Sequence, residues 1–143
     1  MSALPETLSF SKVAVGDELP SLEVPLTPTV IVSTAIASRD YQDVHHDVEL
    51  AKKRGSPNIF MNILSTNGFV GRFVTDWAGP ESELRKVSIR LGVPNYPGDC
   101  MTLTGVVKSR DEQNGEAVVE VEIVGANQLG NHVTGTVRVA LPN

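Results

Sequence analysis

The sequence has few of the residues that would tie it to a membrane, to nucleic acid or to an oxidising compartment. Cys100 is the only cysteine, so no internal disulfide bond can form and a reducing compartment is expected. No apolar stretch reaches the ~18 residues that a membrane span needs. Residues 1–6 lack the basic and apolar regions of a secretory signal. These absences predict a cytoplasmic protein.

The charge balance is mildly acidic. The chain has 12 Lys and Arg residues against 17 Asp and Glu residues, a net charge of −5, and no basic run, so nucleic acid is not expected as a partner. The 143 residues fit one domain over residues 1–143, with a loop-rich segment over residues 1–28. A chain of this length buries about 70% of its unfolded surface, so it can build a core without a disulfide bond or a metal.

Local patterns in the first half of the chain predict short elements. The four prolines of residues 1–28 favour loop structure with room for one short edge strand. The β-branched residues 30–32 predict the end of a strand, and residues 33–38 predict a single helical turn. Asp47 is suited to cap a short helix over residues 48–54.

One long apolar segment predicts a buried central helix. Ser56 is a good N-cap and Pro57 suits the first helical position, while Gly79 and Pro80 end the segment. Apolar side chains fall on most sides of such a helix: Ile59, Phe60, Ile63, Leu64, Phe69, Val70, Phe73, Val74 and Trp77. A helix that is apolar nearly all round must be covered by other elements.

The second half of the chain predicts that cover. Apolar and polar side chains alternate, as in half-buried strands, in four segments: residues 84–91, 101–107, 119–123 and 137–141. The pair Asn114-Gly115 predicts a tight hairpin between two of these strands. One long helix followed by an antiparallel meander predicts an α+β fold whose sheet curls around the helix.

Residues 40–47 form a polar segment that contains an acid and a base. The carboxylate of Asp40 precedes the imidazole of His45 by five positions. Such a pair beside the start of a buried helix can hold a water, polarise a carbonyl and move protons. Taken alone, the spacing belongs more often to the hydrogen bonds of a loop. The run from His45 to Asp47 does not predict a metal site, because adjacent residues rarely converge on one ion.

This segment resembles the motif of the MaoC-like (R)-specific enoyl-CoA hydratases, which have the hot-dog fold. That motif reads Gly-Asp, one residue, Asn-Pro, an aliphatic residue, His, one residue and an acidic residue. The matching positions are Asp40, Val44, His45 and Asp47, and the departures are Arg39, Gln42 and Asp43. The resemblance implies an antiparallel sheet wrapped around one long central helix, with Asp40 and His45 as the catalytic residues.

A second part of the family pattern lies near the predicted helix start. Residues 59–63 match the Ile-x-His-Gly-Met type segment that opens the family's central helix, with Asn62 in place of the glycine. The resemblance implies that Asn62 offers its backbone N–H to the thioester oxygen, and that Ile59 and Phe60 line the acyl tunnel. It implies no metal, and no cofactor besides the coenzyme A carried by the substrate.

Four segments extend the resemblance to one branch of the family, the small subunits of actinobacterial cholesterol side-chain enoyl-CoA hydratases. The segments are residues 39–47, 58–64, 75–80 and 90–94. The branch implies hydration of the 2,3-double bond of a steroid side-chain enoyl-CoA in cholesterol degradation. It also implies a larger partner subunit with a MaoC-like and an OB-type domain, an α2β2 heterotetramer, and an aldolase that receives the product.

Alternatives stay open at this point. They are a general (R)-specific medium-chain enoyl-CoA hydratase that acts as a homodimer, another hot-dog enzyme such as a thioesterase or an acyl-carrier dehydratase, and a non-catalytic subunit that completes a partner's acyl-CoA tunnel. The short turn at residues 33–38 predicts extra room for a steroid ring system. Asn67, Arg72 and Asp76 are expected to face an opening or a subunit interface, and His132 is expected at the surface.

Overall fold

Five strands and three α-helices are formed by residues 5–143, the part of the chain that the computed structural model describes. They are β1 (Leu22–Pro25), α1 (Pro28–Ala37), α2 (Val48–Lys53), α3 (Ile63–Ala78), β2 (Glu83–Leu91), β3 (Cys100–Gln113), β4 (Glu116–Asn127) and β5 (Gly130–Leu141). Single 3-10 turns lie at Phe10–Lys12 and Asp43–His45. The strands form one antiparallel sheet in the order β1-β3-β4-β5-β2. The predicted α+β hot-dog architecture is confirmed.

A tight turn sets the register of the long strands. Asn114 and Gly115, with φ values of 53° and 80°, join β3 to β4, and a two-residue hairpin turn of this kind needs positive φ at both positions. In the resulting register Val107 of β3 pairs with Val121 of β4, and Val121 pairs with Val137 of β5. The predicted hairpin is confirmed, and it aligns the apolar residues of three strands.

One face of the sheet packs on α3. The strand residues predicted to share that face are buried: Met101, Leu103, Val107, Val119, Val121, Ile123, Val137, Val139 and Leu141. Val70, Phe73 and Val74 of α3 belong to the same buried cluster. Gly105 makes room for the helix, because a Cβ there would lie 3.0 Å from Cε1 of Phe73 and 3.3 Å from the carbonyl oxygen of Glu122. Helix and sheet therefore share one core.

The central helix begins later than the sequence predicts. Its first residue is Ile63, its N-cap is Asn62, and it ends before Gly79 as expected. The prediction of Ser56 as N-cap and Pro57 as first residue was wrong. Asn62 ends the preceding segment because its side-chain oxygen accepts a hydrogen bond from an N–H of the first helical turn.

The residues ahead of α3 connect two loops instead of extending the helix. The N–H of Phe60 donates to the carbonyl oxygen of Val44 at 3.1 Å, and the N–H of Met61 donates to that of Asn95 at 3.1 Å. These hydrogen bonds between distant parts of the chain replace helical ones. As a result, the start of α3 is held beside residues 40–47.

The predicted strand end at residues 30–32 was also wrong. These residues lie inside α1, which has Thr27 as its N-cap and Pro28 as its first residue. Thr27 Oγ1 accepts a hydrogen bond from the N–H of Val30 at 3.0 Å. A good cap and a proline at the first position outweigh the strand preference of three β-branched residues. Because α1 has 10 residues, the expectation of a short turn at residues 33–38 fails, and so does the argument for extra room.

Other local predictions are confirmed. β1 lies at one edge of the sheet, as expected within residues 1–28, of which residues 1–4 lie outside the described part. Asp47 caps α2 by accepting a hydrogen bond from the N–H of Leu50 at 3.0 Å. None of the helices described within residues 5–143 is both long and apolar enough to cross a membrane.

Candidate active site

The loop after α1 brings the two predicted catalytic side chains together. The N–H of Asp40 donates to the carbonyl oxygen of Ala35 at 3.0 Å, directly after Arg39, whose φ is 57°. The 3-10 turn at Asp43–His45 then places Nε2 of His45 3.3 Å from Oδ2 of Asp40. The spacing seen in the sequence therefore closes a loop around an acid/base pair.

His45 is fixed by the connection ahead of α3. Its Nδ1 lies 2.7 Å from the carbonyl oxygen of Phe60, and its ring packs edge-on against the Phe60 ring with the centroids 5.0 Å apart. A carbonyl oxygen can only accept, so Nδ1 carries the proton. In the neutral ring Nε2 then keeps its lone pair, and this nitrogen is the one that faces Asp40.

Asp40 receives a hydrogen bond on each carboxylate oxygen. Nδ2 of Asn62 donates to Oδ2 at 3.0 Å, and the N–H of Gln42 donates to Oδ1 at 3.2 Å. The hydrogen bond from Asn62 is the main cause that lowers the pKa of Asp40 below its ordinary 3.8; burial opposes it, while Gln42 and His45 act in the same direction as Asn62. Asp40 is therefore a carboxylate at neutral pH.

Asn62 links this pair to the start of α3. Its Oδ1 accepts a hydrogen bond from the N–H of Ser65 at 2.9 Å and a second from the Ser65 hydroxyl. Its Nδ2 donates to Ser38 Oγ at 3.0 Å as well as to Asp40. The side chain is only 2% exposed, and each of its polar atoms has a partner. The amide is consequently held in one orientation.

The first turn of α3 offers backbone donors next to this group. Among the hydrogen bonds of residues 5–143, none is made by the N–H groups of Asn62, Ile63 and Leu64. Unpaired N–H groups are usual at the start of a helix, and the helix dipole adds positive potential there. Asn62, predicted to contact a thioester oxygen, thus lies at the positive end of α3.

These groups line a cleft of about 400 Å³. Its lining consists of Asp40, Gln42, His45, residues 60–63, residues 91–94 and His132. Phe60 lines the cleft, as the tunnel prediction requires. Ile59 does not: it is 3% exposed and belongs to the core cluster. Four of the five predicted site residues are therefore together, and their roles stay predictions.

His132 is part of the site that the sequence prediction missed. It was expected at the surface, but it is 2% exposed. Its Nδ1 lies 2.6 Å from the carbonyl oxygen of Val93, and its Nε2 lies 2.8 Å from Thr66 Oγ1. Burial lowers the pKa of His132 below its ordinary 6.5, more than the hydrogen bond with Val93 raises it. The ring joins the far wall of the cleft to α3.

A β-bulge explains why this residue is buried although it lies near a turn. Gly125 pairs with Val133 and Ala126 pairs with Asn131, which leaves His132 as the extra residue of β5. At a bulge two residues of one strand face one of its neighbour, so the period of two is interrupted. The polar Thr66 on the buried side of α3 was the one sequence signal that a polar partner was needed there.

Tyr41, Asp43, His46 and Asp47 of the same segment do not line the cleft. Nε2 of His46 lies 3.2 Å from the carbonyl oxygen of Tyr41. Asp43 accepts two hydrogen bonds from Arg54, at 2.6 and 2.9 Å, and this ion pair lowers the pKa of Asp43. Within residues 5–143 no group of three or more His, Cys, Asp or Glu side chains converges on a position suited to a metal ion.

The chemistry of the site follows from two acceptors that face each other. Oδ2 of Asp40 lies 3.3 Å from Nε2 of His45, which carries a lone pair in the neutral ring. One water molecule can donate a hydrogen to each of them, which leaves an oxygen lone pair free to attack a bound electrophile. The positive end of α3 lies beside them, where it can stabilise an oxyanion.

A sheet packed on a helix whose start meets an Asp–His pair agrees with the family resemblance found in the sequence. The sequence model of the MaoC like domain matches residues 11–138. The chain belongs to this family.

Individual relatives narrow the comparison. Over 127 residues, 89% of this chain and 95% of the relative, the chain is 47% identical to the 3-oxo-4,17-pregnadiene-20-carboxyl-CoA hydratase beta subunit of Mycobacterium tuberculosis. The crystal structure of the ChsH1-ChsH2 complex from the same organism matches with a TM-score of 0.84 and 47% identity, covering 90% of this chain and 98% of that chain. The R-hydratase PhaJ1 from Pseudomonas aeruginosa shares the fold, with a TM-score of 0.85 at 17% identity over 96% of this chain and 87% of that chain.

Proposed function

We propose that this chain is the hydratase subunit of an enzyme that adds water across the 2,3-double bond of a steroid side-chain enoyl-CoA. The observation that carries the proposal is the Asp40–His45 pair, 3.3 Å apart at the N-terminus of α3. The relative at 47% identity, which matches 89% of this chain, is by name a hydratase of a pregnadiene carboxyl-CoA. Fold, site and relative support one reaction.

Attack on the β-carbon is the step that Asp40 and His45 serve. An α,β-unsaturated thioester is electrophilic at this carbon, but neutral water is a weak nucleophile. The oxygen of the shared water bonds to the β-carbon while Asp40 takes a proton from that water. His45 orients the water through Nε2. Proton transfer by a positioned side chain contributes roughly 10²- to 10⁴-fold to a rate.

Negative charge then develops on the thioester oxygen. The N–H groups at the start of α3, that of Asn62 among them, and the helix dipole stabilise this oxyanion. One such donor is worth roughly 3 kcal/mol of barrier. The α-carbon finally takes a proton on the same face, from Asp40 directly or by way of His45. No cofactor takes part besides the coenzyme A of the substrate.

The surface around the cleft suits a partner subunit. Tyr41, Ile63 and Leu64 are apolar or aromatic side chains that are 68%, 52% and 50% exposed. β2 forms the other edge of the sheet, with one neighbour only. The matched structure is a complex of two proteins. We therefore place this chain in an α2β2 heterotetramer with a larger MaoC-like subunit, in the cytoplasm. The β-hydroxyacyl product is a substrate for carbon–carbon cleavage by an aldolase.

The first experiment is to co-express the chain with a larger MaoC-like subunit encoded beside it. The copurified complex should hydrate a steroidal 2-enoyl-CoA much faster than a short- or medium-chain one, measured by loss of the enoyl thioester absorbance and by a product heavier by one water. Each part alone serves as the control.

The same assay separates the alternatives. Full activity of this chain alone, with a preference for medium-chain substrates, would support the homodimeric hydratase. Release of free coenzyme A would indicate a thioesterase.

A further inference from the structure

The Asn62 side chain does more than cap a helix, since it also contacts Asp40. We propose that the Asn62 carboxamide is a positioning residue that holds the Asp40 carboxylate against His45, and that Ser38 and Ser65 lock the amide for this task. The inference rests on the proposed function and deepens it: the resemblance to known hydratases gave Asn62 a backbone role only.

The hydrogen bonds of the amide decide which of its ends faces Asp40. The N–H of Ser65 is a donor, so the amide atom 2.9 Å from it must be the oxygen. The other end is then the NH₂ group, and its two hydrogens match two acceptors, Ser38 Oγ and Asp40 Oδ2, each at 3.0 Å. The Ser38 hydroxyl directs its own hydrogen at carbonyl oxygens of α1, 2.9 Å away, which leaves a lone pair for Asn62.

This network connects three parts of the chain around the Asp40 carboxylate. Ser38 follows α1, Asn62 begins α3, and Asp40 lies in the loop between α1 and α2. Because Asn62 is 2% exposed, its hydrogen bond to Asp40 is shielded from water and strong for a neutral donor. The donor stabilises the charged form of Asp40, which agrees with the lowered pKa of that carboxyl. It also keeps Oδ2 at the distance from Nε2 that one water can bridge.

Two substitutions separate this role from helix capping. Asn62→Asp and Asn62→Ser both retain a good N-cap, because Asn, Asp and Ser cap helices about equally well. Asn62→Asp places a second carboxylate against Asp40 in place of the donor. Asn62→Ser leaves a side chain too short to reach it. Asn114→Asp is the matched control, since it makes the same chemical change in the exposed β3–β4 turn, where Asp-Gly is accepted as well as Asn-Gly.

The variants are compared in the assembled enzyme with a steroidal 2-enoyl-CoA. Both Asn62 variants should lose about tenfold or more in kcat, with KM less affected, because the base is misplaced when substrate is bound. In Asn62→Asp the acid limb of the kcat/KM profile should rise by about one pH unit or more, because a neighbouring like charge disfavours the carboxylate. Asn114→Asp should behave as the parent protein.

A carboxyl ¹³C NMR titration of Asp40 in the full chain supplies a readout that needs no turnover. The pKa of Asp40 should rise in both Asn62 variants and stay unchanged in Asn114→Asp. Unchanged titration and an unchanged acid limb in folded Asn62 variants would overturn the inference. If Asp40→Asn leaves turnover intact, the proposed function fails instead, and the titration still decides whether Asn62 holds the carboxylate.

Discussion

The two walls of the cleft each carry a buried histidine, and the rings differ in what the second nitrogen contacts. In His45 and in His132, Nδ1 donates to a backbone carbonyl oxygen, at 2.7 and 2.6 Å. Nε2 of His132 lies 2.8 Å from the Thr66 hydroxyl, which can donate to it. Nε2 of His45 lies 3.3 Å from the Asp40 carboxylate, which can only accept. Burial alone therefore does not make an imidazole structural. In the neutral rings, Nε2 of His132 accepts a hydrogen bond from the Thr66 hydroxyl, whereas Nε2 of His45 faces a carboxylate and keeps its lone pair for a water.

The largest expected effect is on the wall of Asp40 and His45. Asp40→Asn keeps the shape but removes the base, and His45→Gln removes the second acceptor, so each should lower kcat of the assembled enzyme by about 10³-fold. Steady-state hydration kinetics measure this. Asp43→Asn is the matched control, because it makes the same change outside the cleft and should stay within about threefold of the parent.

If both Asp40→Asn and His45→Gln keep near-parent turnover, the wall of Asp40 and His45 is no more catalytic than the wall of His132. The chain would then be a non-catalytic subunit that completes the tunnel of its partner. The outcome would leave the fold and the family unchanged.

A smaller effect, on stability, is expected at the wall of His132. Thr66→Val leaves Nε2 of His132 buried without a donor, which should lower the free energy of unfolding by about 1–3 kcal/mol. Urea denaturation measures this. Thr75→Val is the matched control on the same helix: its hydroxyl donates to the carbonyl oxygen of Gly71 at 3.1 Å, and its loss strands no side chain.

The kinetics of Thr66→Val sharpen the comparison further. Its kcat should fall by less than about tenfold, because His132 touches no reacting atom in the proposed mechanism. A loss as large as that of Asp40→Asn would show that both walls take part in the chemistry.

The smallest expected effect is a pH dependence of stability due to His132. Its pKa in the folded protein lies below its ordinary 6.5. Just below pH 6.5 the unfolded chain therefore binds a proton at His132 more readily than the folded protein does. The contribution of His132 is therefore fully present above pH 6.5 and is lost as the pH falls below it. Between pH 7.5 and 5.5 His132 should lower the free energy of unfolding by at most about 1.4 kcal/mol, and the drop should be smaller in His132→Gln.

The contribution of Asp40 to the free energy of unfolding changes in a different pH range from that of His132. Its folded pKa lies below its ordinary 3.8, so its stabilising contribution is present above that value and is lost only as the pH falls further. If the free energy of unfolding falls equally between pH 7.5 and 5.5 in the parent and in His132→Gln, its pH dependence is due to groups other than His132.

Parts of the fold and of the site could be predicted from the sequence alone. The alternation of residues 119–123 predicted a strand because a pleated strand turns successive side chains to opposite faces. Asn114 and Gly115 predicted a hairpin because few residues tolerate positive φ at two successive positions. Asp40 and His45 were found by their spacing within a known pattern, and the structure places them in contact.

Other parts depended on competition between local and distant contacts. Ser56 and Asn62 are both acceptable caps for α3, and the choice was made by the hydrogen bonds that tie Phe60 and Met61 to distant loops. His132 was misplaced because its position near a turn suggested exposure, whereas a bulge in β5 buries it. Neither the bulge nor the loop contacts leave a local pattern in the sequence.

The sequence by itself determined the class of fold, the hairpin, the family and the pairing of Asp40 with His45, because periodicity, turn chemistry and motif spacing act over a few neighbouring residues. Only the tertiary structure decided where α3 starts, which end of the Asn62 amide meets Asp40, and that His132 is buried in the opposite wall. The helix start, the contact of the Asn62 amide with Asp40 and the burial of His132 each involve hydrogen bonds between residues far apart in the chain, and such bonds exist only after the helix has packed on the sheet.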